Sequence, residues 1–211
     1  MKKNIIYALI LFLFPISIIS AQTNEQAEQI LTDLLNSAKT SAIKTNFILD
    51  MKDKANSQST SGVFTLKGTK FTLDMGEMKV WFDGKTQWSY NQANNEVSVT
   101  EPTEKELSET NPMAILSGFK SKCTIKFSSK TKSAQNNCIE MTPKVANKTI
   151  AKIEVQVNKT NGNLSSIKTI TGGGSSSLLT LNNFQKGLKV TDNIFTFNPA
   201  KYKGVTVNDL R

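Results

Sequence analysis

The chain holds no histidine, and that absence removes most of the usual side-chain chemistry. Imidazole is the common general base, the middle member of serine triads and the commonest metal ligand. Neither a triad nor a zinc site built on imidazole can be assembled. Carboxylate pairs remain, since glycoside hydrolysis needs only two. Yet Glu101, Glu104, Glu106 and Glu109 crowd one polar stretch, and Asp50, Asp53, Asp74 and Glu77 fall at expected strand ends or turns, where solvation is the simpler role. The run Gly172-Gly173-Gly174-Ser175-Ser176-Ser177 invites comparison with a phosphate loop. It lacks the Gly-Lys-Ser ending and the following helix, so it reads as a loose β-turn. The residues point to no enzyme, no cofactor and no bound metal.

Two cysteines, Cys123 and Cys138, are the whole thiol inventory. Their compartment follows from the N-terminus. Lys2 and Lys3 precede an apolar run from Ile5 to Phe14, Pro15 breaks it, and Ile19-Ser20-Ala21 offers a small residue for cleavage. Residues 1–21 therefore read as a signal peptide cleaved near Ala21, and 22–211 as a single exported domain. The run is short for a membrane span, and polar Gln22-Thr23-Asn24-Glu25 follows at once. No cysteine directly follows the cleavage point, so the mature chain is expected to be soluble and not itself lipidated. In an oxidising compartment Cys123 and Cys138 are expected to form a disulfide, which would stabilise the fold by about 3 kcal/mol in the chain-entropy picture.

The net charge is +9, and Arg211 is the one arginine among 26 basic residues. Without the guanidinium forks that read guanine or clamp phosphates, nucleic acid is not an expected partner. The scattered lysines instead suit a solvated surface, with contact to anionic headgroups or an acidic protein patch left open.

The elements that must carry any function are mostly strands. Ala27, Ile30, Leu31, Leu34, Leu35 and Ala38 recur at helical spacing, which predicts one helix over Glu25 to Thr40 capped by Asn24. From Ile43 the period becomes two: Ile43, Thr45, Phe47, Leu49 and Met51 alternate with their neighbours, and the pattern continues through Val63 to Leu66, Phe71 and Leu73. Asp83-Gly84 and Asn94-Asn95 predict tight hairpins. A polar linker and a short helix at Asn111-Pro112-Met113-Ala114-Ile115-Leu116 interrupt the strands. Further strands are expected over Thr124 to Ser128, Cys138 to Thr142, Ile150 to Val157, Leu164 to Thr171 and Ser177 to Phe184, with a short one at Phe195 to Phe197. About eleven strands are too many to lie flat, so the sheet should curl.

A curled sheet has a concave face. If Phe47, Leu49, Phe64, Leu66, Phe71, Leu73, Trp81 and Trp88 line it under small helices, the hollow suits an elongated apolar ligand, and Met51, Met75, Met78, Met113 and Met141 add adaptable surface. A filled core would show the same periodicity. Trp81, Trp88 and Tyr90 also permit a sugar-stacking platform, although aromatics at alternating strand positions are more often core.

The segment Phe82-Asp83-Gly84-Lys85-Thr86-Gln87-Trp88-Ser89-Tyr90-Asn91 closely resembles the Asp-Gly-Lys-Thr-x-Trp-x-Tyr-(Asn/Asp) signature of the periplasmic outer-membrane lipoprotein carrier family, LolA. Asn111 to Leu116 is similar to that family's Pro-containing lid helix. Met141-Thr142-Pro143-Lys144, Phe195 to Pro199 and Gly204 to Asp209 resemble its later motifs, in order. The resemblance implies a mainly β (α+β) fold: an incomplete, strongly curved antiparallel β-barrel of about eleven strands, with an N-terminal helix and a short helical lid over an apolar cavity. It implies a monomeric periplasmic carrier that takes acylated lipoproteins from an inner-membrane ABC transporter to an outer-membrane acceptor. Pro112, Met113, Ile115, Leu116 and Phe119 would form the lid. One departure stands out: where better-known members carry a Lys-Arg-Pro segment whose Arg latches the lid, this chain has Lys67-Gly68-Thr69, so apolar contacts would have to hold the lid. A carrier of other envelope lipids or pigments, and an envelope-stress sensor domain, are the competing readings.

Overall fold

The computed structural model describes residues 17–146 and 149–211, without the side chains of 17–23 and 108–110. Most of the signal segment, from Met1 to Ile16, lies outside the described residues. Helix α1 spans Ser17–Thr40 and runs through Asn24 instead of starting there. No Gly or Pro interrupts Ser17 to Asn24, so nothing local forces a start at the expected cap.

One twelve-stranded sheet forms the rest, in the order β12-β6-β5-β4-β3-β2-β1-β11-β10-β9-β8-β7. Strands β1 (Ile43–Lys52), β2 (Ser57–Lys67), β3 (Lys70–Asp74), β4 (Met78–Phe82), β5 (Gln87–Asn91) and β6 (Glu96–Thr100) make one antiparallel meander. Strands β7 (Cys123–Phe127), β8 (Asn136–Pro143), β9 (Lys152–Asn158), β10 (Leu164–Ile170) and β11 (Ser176–Lys186) make a second. The two join where β1 pairs with β11. The Asp83-Gly84 and Asn94-Asn95 turns form as expected, Gly84 and Asn95 both taking positive φ.

The first and last strands of the order do not meet, so the barrel stays open. Register shifts between Lys44 and Asn46 and between Leu164 and Ser166 bend it. At the first shift the buried Thr45 hydroxyl donates to Asn182 O at 2.7 Å, satisfying a carbonyl beside the bulge.

Two sequence expectations need correction. The polar stretch before Asn111 is not a linker: Glu104–Thr110 forms helix α2, opened by a capping box between Thr103 and Glu106. The expected strand at Phe195 to Phe197 is a short 3-10 turn over Asp192–Phe195, then a second over Pro199–Lys201. The real last strand is β12 (Thr206–Asp209), which pairs parallel to β6.

Candidate functional site

Strand alternation divides the sheet into two faces. Phe47, Phe64, Leu66, Phe71, Val80 and Phe82 face inward and form one buried cluster with Ala38 and Ile43. A second inward cluster fills the β7–β10 half. There Ala27, Leu31 and Leu34 of α1 pack with Ile125, Ile139, Met141, Ile153 and Val155. Ala38 near the end of α1 packs into the first cluster, but among the described residues α1 supplies none of the lining of the space in front of β1, β2 and β11, which stays hollow.

The hollow has a volume of about 1320 Å³, above the roughly 300–1,000 Å³ of ordinary small-molecule clefts. Its floor is Phe47, Leu49, Phe64, Leu73, Leu179 and Leu181; its roof is α2 and α3 (Pro112–Lys120), through Leu107, Pro112, Ile115 and Phe119. Polar groups gather among the remaining lining residues: Thr60, Thr103, Glu104, Lys105, Lys122, Thr169 and Ser177.

The roof is built for a fixed seat. Asn111 is buried between α2 and α3, and its side chain accepts a hydrogen bond from Met113 N at 2.9 Å, capping α3 just before Pro112. Leu116 is only 1% exposed and belongs to the α1-side cluster, while Met113 packs against both clusters. Lys120 Nζ donates to Thr32 Oγ1 on α1 at 2.6 Å. This tether joins α3 to α1. The Lys67-Gly68-Thr69 turn is engaged elsewhere: Lys67 and Lys70 bind Asp192 at 2.8 and 2.6 Å, and these two ammonium groups hold the Asp192 carboxyl down at about 2.

Of the residues expected to line the cavity, the structure places Phe47, Leu49, Phe64 and Leu73 on it. Leu66 and Phe71 face the same way but are sealed in the core beside it. Trp81 and Trp88 are on the other side of the sheet. They pair across β4 and β5 and pack in a cluster with Tyr90, Val97, Phe197 and Tyr202. Trp81 meets Phe197 and Tyr202 edge-on at 5.4 and 5.9 Å between ring centroids, and Tyr90 packs on the same two rings, so the C-terminal segment covers the outer face at Trp81 and Tyr90. The three successive apolar residues Val80-Trp81-Phe82 hide the parity that would have told which one points inward.

Among the expected lid residues, Pro112, Ile115 and Phe119 line the cavity, whereas Leu116 and Met113 anchor the helix. Met51 and Met75 reach the hollow, Met141 is fully buried and Met78 is exposed. Ile150, Ile167, Leu179 and Leu181 line it as well, although only their strand periodicity marked them in the sequence.

The disulfide does not form. Cys123 and Cys138 are both free and buried. Cys123 pairs with Pro143 and Phe127 with Ile139, which sets the two cysteines at opposite ends of the hairpin. They lie about 17 Å apart along it at ~3.4 Å per residue, and on opposite faces. A bridge needs Cα atoms within about 7 Å. Burial pushes both thiols up from their ordinary value, against the opposing pull of Lys144 on Cys123 and Lys159 on Cys138.

Four of the acidic residues weighed as catalytic candidates have structural partners. Asp53 accepts from Ala55 N and Asn56 N, Glu106 completes the α2 cap, Asp74 binds Lys79 at 2.7 Å, and Glu101 binds Lys85 at 3.2 Å. Among the described residues no group of three or more Cys, Asp or Glu comes together to hold a metal ion.

Comparison with known proteins agrees with this geometry. Residues 17–173 match the family described as outer membrane lipoprotein carrier protein LolA. No curated protein matches the sequence. Among solved structures, an uncharacterised conserved protein from Thermus thermophilus superposes with a TM-score of 0.59 at 11% identity, over 87% of this chain and 99% of that one. A LolA superfamily protein from Nitrosomonas europaea gives 0.41 at 12%, over 81% and 97%. The MucA/MucB complex of Pseudomonas aeruginosa gives 0.48 at 12%, over 82% of this chain and 61% of that one. With three quarters of its length matched, the chain belongs to the LolA family of outer membrane lipoprotein carrier proteins.

Proposed function

We propose that this protein is a periplasmic carrier, exported by a signal peptide cleaved near Ala21. It shields the acyl chains of lipoproteins between an inner-membrane ABC transporter and an outer-membrane acceptor, as a monomer and without catalysis. The observation that carries the reading is the hollow of about 1320 Å³ with its apolar floor of Phe47, Leu49, Phe64, Leu73, Leu179 and Leu181. An acyl chain moved from water into such a surface gains about 0.8 kcal/mol per methylene. A filled core would have no room for one. Support also comes from the family membership, which is one of binding and carrier proteins.

The residues divide the work. The floor and the undersides of Ile115 and Phe119 supply apolar contact, while Met51 and Met75 adapt to chains of different shape. Asn111, Leu116 and the Lys120–Thr32 hydrogen bond hold the roof over the cargo. Lifting α3 away from α1 would break the Lys120–Thr32 bond, a polar tether between the two helices.

Native mass spectrometry of the protein taken from periplasm tests the proposal. An acylated polypeptide is the expected companion mass. A free lipid or pigment would replace this reading with that of a general lipid carrier, and a permanently empty protein that binds no lipopeptide would end it.

A further inference from the structure

The two outer edges of the sheet are guarded. Helix α1 lies against β7, and at the other end β12 is short and carries Asp209. Such devices keep exposed strand edges from pairing with stray chains. A third edge, inside the sheet order, is exposed among the described residues. Strand β2 pairs with β1 along its whole length, from Ser57 opposite Lys52 to Leu66 opposite Ile43. Its other neighbour, β3, pairs only from Val63, opposite Asp74, onward. Among the described residues the segment Ser57-Gln58-Ser59-Thr60-Ser61 therefore has a strand on one side only. It is largely exposed and holds no charge and no Pro.

Gly62 marks where the edge opens. A side chain there would strike the Asp74 carbonyl oxygen, 2.2 Å from a Cβ, so the end of β3 passes close against β2 at this point and then leaves it. The free edge also borders the cavity. Thr60 lines the hollow directly, and its cross-strand partner Leu49 and the neighbouring Met51 lie on the same wall.

We infer that this edge of β2 receives the extended polypeptide of an acylated cargo, which adds as a further antiparallel or parallel strand while its acyl chains occupy the hollow. The inference rests on the carrier reading above. A chain whose acylated residue is buried at Thr60 and Leu49 must leave the hollow across this rim. Main-chain pairing suits such a cargo because it accepts any sequence, with Ser59 and Ser61 offering only small side chains on the outer face.

The test uses the full protein and three synthetic probes: a triacylated cysteinyl peptide with an extension of about ten residues, long enough to form a strand, and two versions N-methylated at alternate residues in opposite registers. One methylated register should bind about tenfold or more weakly than the parent, and the other should match it, because only alternate amides of a strand face its neighbour. Amide exchange of residues 57–61 should slow with the parent lipopeptide and not with a free fatty acid. Equal binding by all three probes would overturn the edge pairing while leaving the carrier intact. No binding by any probe would overturn both. Protection of residues 57–61 that rises with protein concentration alone would assign the edge to a second copy of this chain and overturn the inference.

Discussion

The inner face of this sheet is built twice with different outcomes. In the β7–β10 half, Ile125, Ile139, Met141, Ile153 and Val155 meet the apolar stripe of α1 and are sealed. In front of β1, β2 and β11, Leu49, Leu179 and Leu181 obey the same alternation yet stay partly exposed beneath α2 and α3. Strand patterning thus decides which side chains point inward. What lies opposite decides whether they become core or a binding surface.

Leu31→Ala and Leu179→Ala should separate the two halves most clearly. Leu31 is 1% exposed among α1-side residues, so its truncation leaves a cavity and should cost about 3 kcal/mol. Leu179 already faces the hollow, so its loss should cost under about 1 kcal/mol and instead weaken binding of a fluorescent fatty acid. Urea unfolding and dye titration of both variants check this. A large stability loss for Leu179→Ala would mean that the hollow is packed in solution.

Asn111→Ala probes the roof between the halves. Removing the cap of α3 should destabilise the protein by about 1 kcal/mol and speed lipid exchange measured by stopped flow. An unchanged exchange rate would show that the seat of α3 does not gate the hollow.

How far the sequence reached follows from the same contrast. Hairpin turns, the α1 stripe and the β1 to β3 alternation were legible because each is a local signal of spacing or turn chemistry. That alternation also singled out Phe47, Leu49, Phe64 and Leu73, which line the hollow. Trp81 and Trp88 were misplaced because Val80-Trp81-Phe82 has no polar partner to fix its parity, and because the C-terminal segment that covers them returns from far along the chain. Helix α2 was missed although its Thr103 to Glu106 capping box stood in the sequence; the run is too polar to show a helical stripe. That the hollow is empty could not be read, since it depends on how α2 and α3 sit over strands far away in sequence.

A smaller effect should come from the clasp between the C-terminal segment and the β2–β3 turn. Lys67 and Lys70 hold Asp192 at about 2, below the ordinary carboxylate value of 3.8. A depressed folded-state value means that the contribution is complete above about 4 and is lost as pH falls through 2. Asp192→Asn should therefore flatten the fall in stability between those limits. The three groups are largely solvent-accessible, so salt should shrink the difference. Melting curves across that range at low and high salt measure it, and identical curves for both proteins would remove the clasp from the account.

The smallest expected effect is none, and it concerns the thiols. Cys123 sits inward with Ile125 in the filled half, while Cys138 faces the other side of the hairpin. Both act as small buried apolar groups, and burial raises both thiols, so neither offers a ready thiolate for oxidation. The melting temperature should be the same with and without reductant, and a thiol reagent should count two groups only after denaturation. A bridge closing this loop would instead make reductant cost about 3 kcal/mol. Such a loss would require β7 and β8 to slide past one another by an odd number of residues, which would turn either Ile125 or Ile139 and Met141 outward. The sealed half would then be no better packed than the open one, so retained stability under reductant tests the filled side of the comparison as directly as dye binding tests the hollow side.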